Sequence, residues 1–202
     1  DYTSLVSADN FGLGLIGAEL LSPHVPENRQ VGILTYGVDF FATNEREIAF
    51  ARWIKANRPD LTVHTRRFAS LETTGQTTES LIEEFPELGG LFVVWDIPAM
   101  EAIRVLDCRG VYVPVTTVDL GREVAIDLAG EGRTVGIAAQ QPHAQGVAAV
   151  QTAILSLLGL PVPGWTALPG VPVTASNIVE SYQAVWSTDA PAEVLKLKGG
   201  SS

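Results

Sequence analysis

The sequence is poor in the residues that anchor metals and covalent crosslinks. Its 202 residues include one cysteine, Cys108, and three histidines, His24, His64 and His143. One cysteine cannot close an internal disulfide or build a thiolate cluster. The histidines stand far apart, without metal-ligand spacing, so we expect no metal and no cofactor. Cations are scarce as well. Lys and Arg number 13 against 23 Asp and Glu, a net charge of −10, the wrong sign for a nucleic-acid backbone. Long apolar runs are missing. The least charged stretch, Gly146 to Val162, is interrupted by Gln151, Thr152 and Ser156, short of the about 18 apolar residues of a membrane span. There is no visible leader peptide, and Asp1 stands where an initiating methionine would, so we expect upstream sequence to have been removed. No G-x-S-x-G elbow occurs. Glu83-Glu84 and Glu45/Glu47 read as solvated helix faces rather than an acid–base pair, and we expect no enzyme.

What is present is a core. Hydrophobic residues make up 46% and charged residues 18%, which excludes disorder. Short apolar runs recur at Leu5-Val6, Val31 to Leu34, Leu61 to Val63, Leu91 to Val94, Val113 to Val115 and Val135 to Ala138. Continuous rather than alternating runs suit strands covered on both faces. Between them, stripes such as Ile97/Met100/Ile103 and Val147/Val150/Ile154/Leu157 have helical spacing. This alternation predicts an α/β fold, a parallel sheet in three αβα layers. Four prolines and two glycines between Leu160 and Thr174 predict an extended connection, and Thr174 to Trp186 a short last helix.

Gly12-Leu13-Gly14-Leu15-Ile16-Gly17 matches the dinucleotide fingerprint G-x-G-x-x-G, with Asp39 placed as a ribose-binding acid would be. The strand does not run straight into the first glycine, however, because Ser7 to Phe11 intervene. The simpler reading is that small residues let this helix pack closely. An NAD-dependent oxidoreductase is kept as an alternative. Cys108, late in a helix, reads as structural.

Ligands of parallel α/β sheets bind at the carboxyl ends of the strands. Those ends here read Asp9-Asn10, then Asp39-Phe40-Phe41 with Thr43-Asn44, then Trp95-Asp96, Asp119, and Gln140-Gln141. Carboxylates and amides exchange hydrogen bonds with vicinal hydroxyls, and aromatic faces cover a sugar ring. A neutral polyhydroxylated ligand therefore fits better than a phosphate. Asp9 and Asp96 can equally be helix N-caps.

The pattern resembles the ribose-type periplasmic sugar-binding proteins of bacterial ABC importers, whose fold is shared by repressors related to the lac repressor. Five segments carry the resemblance, in order. They are Ser7-Ala8-Asp9-Asn10, Asn44-Glu45-Arg46 leading to Phe50, Leu91 to Asp96 followed by Ala99-Met100, Val115 to Asp119, and Ile137 to Pro142. Val171 to Thr174 and Asn177-Ile178 look like the family's closing segment. The resemblance implies two α/β lobes joined by three crossover strands, sugar in the cleft, a permease partner and a periplasmic or cell-surface location. It implies that Asp119 binds sugar hydroxyls and that Gln140 is the hinge glutamine. Asn44 stands where ribose binders place an arginine, and Trp95 where they place an asparagine, with Asp96 beside it. Trp95 would stack on a ring, narrow the pocket or be absorbed by the hinge. Asn10, Phe40 and Phe41 complete the expected ligand set. The resemblance also implies that residues 7–139 with 171–188 form the second lobe and 140–170 return to a first lobe that is mostly lacking, so that the chain is expected to be a fragment that binds sugar only weakly alone. Residues 189–202 are expected to be a flexible tail. The helix at 142–159 would then expose its apolar stripe and favour self-association. A sugar-sensing repressor core is the other alternative.

Overall fold

The computed structural model describes residues 2–199. In chain order the elements are β1 (Leu5–Ala8), α1 (Asn10–Leu21), β2 (Gln30–Tyr36), α2 (Phe41–Asn57), β3 (Thr62–Phe68), α3 (Thr74–Glu84), β4 (Leu88–Val93) and α4 (Asp96–Cys108). They continue with β5 (Val115–Val118), α5 (Arg122–Ala129), β6 (Thr134–Ala139), α6 (Pro142–Leu157), β7 (Trp165–Leu168), β8 (Val171–Val173), α7 (Ile178–Trp186) and α8 (Ala192–Leu197). Each apolar run of the sequence lies in, or runs into, a strand.

Six strands form one sheet in the order β3-β2-β4-β5-β6-β8. The first five are parallel, and β8 closes the edge antiparallel to β6. Pro172 is tolerated on β8 because an edge strand needs no second ladder of donors. Helices α1 and α2 cover one face, and α3, α4 and α5 the other. Leu91 to Val94 and Val115 to Val118 are fully enclosed, as strands covered on both faces require.

The glycines of α1 serve packing. A Cβ on Gly14 would run into the carbonyl oxygen of Arg46 and stand 2.8 Å from Ala49 Cβ; one on Gly17 would stand 2.6 Å from Phe92 Cε2. Gly14 thus lets α1 lie directly on α2, and Gly17 lets α1 lie on the sheet.

A second, smaller unit lies beyond the main sheet. β1 pairs in parallel with β7, from Leu5 opposite Trp165 to Ala8 opposite Leu168, and α6 packs on β1. No residue of α6 is buried. Val150, Ile154 and Leu157 of its apolar stripe face solvent, Leu157 with 87% of its surface exposed. Among the described residues no helix is long and apolar enough to cross a membrane.

The expected flexible tail is corrected by α8. Ala190 and Val194 are buried in a cluster with Leu128, Val185 and Ile178, so the chain up to Leu197 is part of the packed body. Residues 200–202 of that expectation lie outside the described residues. Cys108 is exposed at the end of α4 and does not serve the core.

Candidate functional site

The strand order reverses between β2 and β4, which leaves a crevice beyond their carboxyl ends. A cleft of about 780 Å³ opens there, within the range of small-molecule sites. Tyr36, Trp95, Asp119 and Gln140 enter it from the ends of β2, β4, β5 and β6. Asn10 of α1 and Thr43 and Arg46 of α2 also line it, as do Val6 and Ser7 of β1 and Gln145 of α6. Leu71 and Glu72, in the turn after β3, complete the rim.

Arg46 is buried at this position by its place on the inner stripe of α2, with Thr43, Phe50 and Ile54. Its Nε donates to Asn10 Oδ1 at 3.1 Å and its Nη1 to the Val94 carbonyl at 2.8 Å. The same Nη1 lies 3.7 Å from Asp119 Oδ2. Burial pushes the Arg46 pKa down, while the carboxylates of Asp119 and Asp96 push it back up.

Asp119 sits just beyond β5 with a left-handed backbone, φ 73°, a conformation Asp tolerates better than most residues. Its N–H donates to the Ala138 carbonyl at 3.1 Å, and its Oδ1 accepts from Gln140 Nε2. The carboxylate is therefore fixed in direction. Trp95 is held by the edges of Tyr36 and Phe68, with ring centroids 5.6 and 5.3 Å away. The Ser70 hydroxyl beside Glu72 pushes its carboxyl pKa down. One cation against two carboxylates gives a cleft that does not invite an anion.

The structure brings Asn10, Phe40, Trp95, Asp119 and Gln140 together in this cleft. It does not bring the rest. Asn44 Nδ2 donates to Asp39 Oδ1 at 2.6 Å and lines a separate hollow with Glu47 and Arg67, because one and two residues along a helix turn to different faces. Phe41, the first residue of α2, is exposed and lies outside the cleft lining. Asp96 faces an adjoining hollow with Gly121, Pro142 and Trp186 that shares Asp119 and Gln140 with the cleft. Its Oδ1 accepts the Ile97 N–H at 2.9 Å. Burial, and then the like charge of Asp119, raise the Asp96 pKa. Asp9 is an N-cap, accepting the Gly12 N–H at 2.9 Å. Reading strand ends alone missed Arg46, Tyr36 and Gln145. For Arg46 a signal existed: a charge on the same helical stripe as Phe50 and Ile54.

Fold and cleft together define a class: a doubly wound α/β body whose strand ends form one side of a polar and aromatic binding cleft. A family model described as "Periplasmic binding protein domain" matches residues 1–160, and the chain belongs to that family. No sequence among the curated proteins matches it. Solved structures agree on the fold. An ABC transporter solute-binding protein from Agrobacterium vitis, bound with alpha-D-tagatopyranose, is 21% identical with a TM-score of 0.83, covering 94% of this chain and 63% of that one. One from Mycobacterium smegmatis with bound glycerol is 25% identical with a TM-score of 0.78, covering 94% and 66%. A periplasmic solute-binding protein from Actinobacillus succinogenes 130z with bound D-allose is 22% identical with a TM-score of 0.79, covering 87% and 62%. The chain thus spans somewhat less than two thirds of the length of these proteins.

Proposed function

We propose that the chain carries the ligand-binding cleft of a solute-binding component of an ABC importer, taking a neutral sugar or polyol without chemical change. The observation that carries this reading is the fixed Asp119 carboxylate. It is held in a left-handed backbone and oriented by Gln140, beside a buried Arg46 and the clamped Trp95 face. An oriented carboxylate accepts from two vicinal hydroxyls, and an adjacent indole covers the apolar face of a ring. The sugars and the polyol named for the similar structures support the ligand class.

In this reading Asp119, Gln140, Asn10, Trp95 and Phe40 contact the ligand. Residues 9–139 and 171–188 form one lobe, and 140–170, with α6 and β7, belong to the other together with β1. The protein works outside the cytoplasm and delivers its ligand to a permease. The oxidoreductase alternative loses its footing because Gly14 and Gly17 are occupied by helix and sheet packing.

Isothermal titration of the chain with D-allose, D-tagatose, allitol and glycerol, and separately with NAD, tests the proposal. Saturable heat with at least one sugar or polyol is expected. No heat with any of the four, with or without heat from NAD, would overturn it.

A further inference from the structure

The polar groups of the cleft mostly satisfy one another. Asn10 accepts from Arg46, Arg46 donates also to Val94, and Gln140 donates to Asp119. Thr43 Oγ1 donates to the Phe40 carbonyl at 3.1 Å, and Ser7 Oγ accepts from Trp165 Nε1 at 2.9 Å. Gln145 differs. Its amide nitrogen is buried and has no partner among the described residues.

Its place in the fold is well anchored. The Gln145 N–H donates to the Gln141 carbonyl at 2.8 Å, and Gln141 Nε2 donates to the Pro169 carbonyl at 2.9 Å. The start of α6 is thereby tied to the connection between β7 and β8. Gln145 approaches the cleft from the β1 and α6 unit, whereas Arg46, Trp95 and Asp119 approach from the main sheet and α2.

A buried polar group left without a partner is costly, and of the unpaired buried side-chain atoms among the described residues Gln145 Nε2 is the one that belongs to a residue lining the cleft. We propose that Gln145 contacts the ligand and helps determine its specificity, its amide turning into the cleft to take a hydroxyl as the partner that the described residues do not supply. This rests on reading the cleft as a sugar or polyol site. A hydroxyl both donates and accepts, so it satisfies the Gln145 amide in either of its two orientations. A ligand bound to Asp119 and Gln145 at once also bridges the two units.

The test pairs stability with affinity, using Gln145→Leu and Gln145→Met in the full chain. Both remove the orphan amide and keep much of the side-chain volume. The thermal midpoint of the free protein is expected to stay level or rise. Affinity for whichever of D-allose, D-tagatose or allitol the parent binds best is expected to fall about five- to tenfold, the loss of one neutral hydrogen bond. A merely structural glutamine would instead lower the midpoint and leave affinity alone. If the parent binds a sugar or polyol and both variants bind it equally well, Gln145 has no ligand role and the proposed function stands. If neither these three probes nor glycerol binds the parent, both fall.

Discussion

A guanidinium enclosed on the same helix stripe as Phe50 and Ile54 loses its hydration, and Arg46 recovers it through Asn10, the Val94 carbonyl and Asp119. Its removal therefore leaves two buried acceptors bare. Arg46→Met is expected to destabilise the fold by about 2–4 kcal/mol, measured by urea denaturation, with sugar binding weakened as well. Asp119→Asn is a gentler probe, because Asn also tolerates the left-handed backbone. The substitution removes one of the two causes that raise Asp96. The Asp96 carboxyl, followed by carbon NMR against pH, is expected to titrate lower in Asp119→Asn than in the parent. The sign for stability follows. Native Asp96 keeps its proton to higher pH than the unfolded chain does, so its contribution to stability falls as pH rises from about 4. That fall should be shallower in the variant.

Among the elements, α1 shows how a pattern can carry two meanings. Gly12 to Gly17 fit a cofactor fingerprint on paper, but contacts across the fold decide the matter: Gly14 faces the Arg46 carbonyl, and Gly17 faces Phe92. Gly14→Ala is the sharp test. Helix propensity alone favours alanine by about 1 kcal/mol. The clash with α2 backbone should outweigh that and give a net loss of about 1–3 kcal/mol in chemical denaturation. It should weaken ligand binding too, since the displaced segment carries Arg46. The C-terminal element α8 was hidden for a different reason. Six residues after Pro191 carry too little periodicity to announce a helix, and only the cluster formed with α5 and α7 makes Val194 a core residue. Val194→Asp places a lone charge in that cluster and should cost about 3 kcal/mol or more by thermal denaturation, whereas a dispensable tail would tolerate it.

Over the whole molecule, charge is unevenly placed. Residues 134–179 contain no Asp, Glu, Lys or Arg, and this segment holds α6 with its exposed Val150, Ile154 and Leu157. An uncharged, apolar helix face opposes the general repulsion expected of a chain with a net charge of −10. Sedimentation velocity is expected to show self-association of the chain that rises with concentration. Ile154→Lys with Leu157→Lys should shift it toward monomer without lowering the thermal midpoint, because neither side chain is buried.

By itself the sequence determined the α/β class, the strand positions and the cleft members that sit at strand ends, such as Asp119, Trp95 and Gln140. Those features are local: an apolar run between breakers defines a strand, and the residue after it must emerge at the sheet's carboxyl edge. Tertiary structure alone decided the rest. It separated Asn44 from Arg46, two positions apart on α2, because a helix turns about 100° per residue and one faces a side hollow while the other faces the cleft. It also decided that Gln145, distant in sequence from every other cleft residue except Gln140, shares their cleft with its amide nitrogen unpaired among the described residues, since burial and partnering belong to neighbours that only folding brings together.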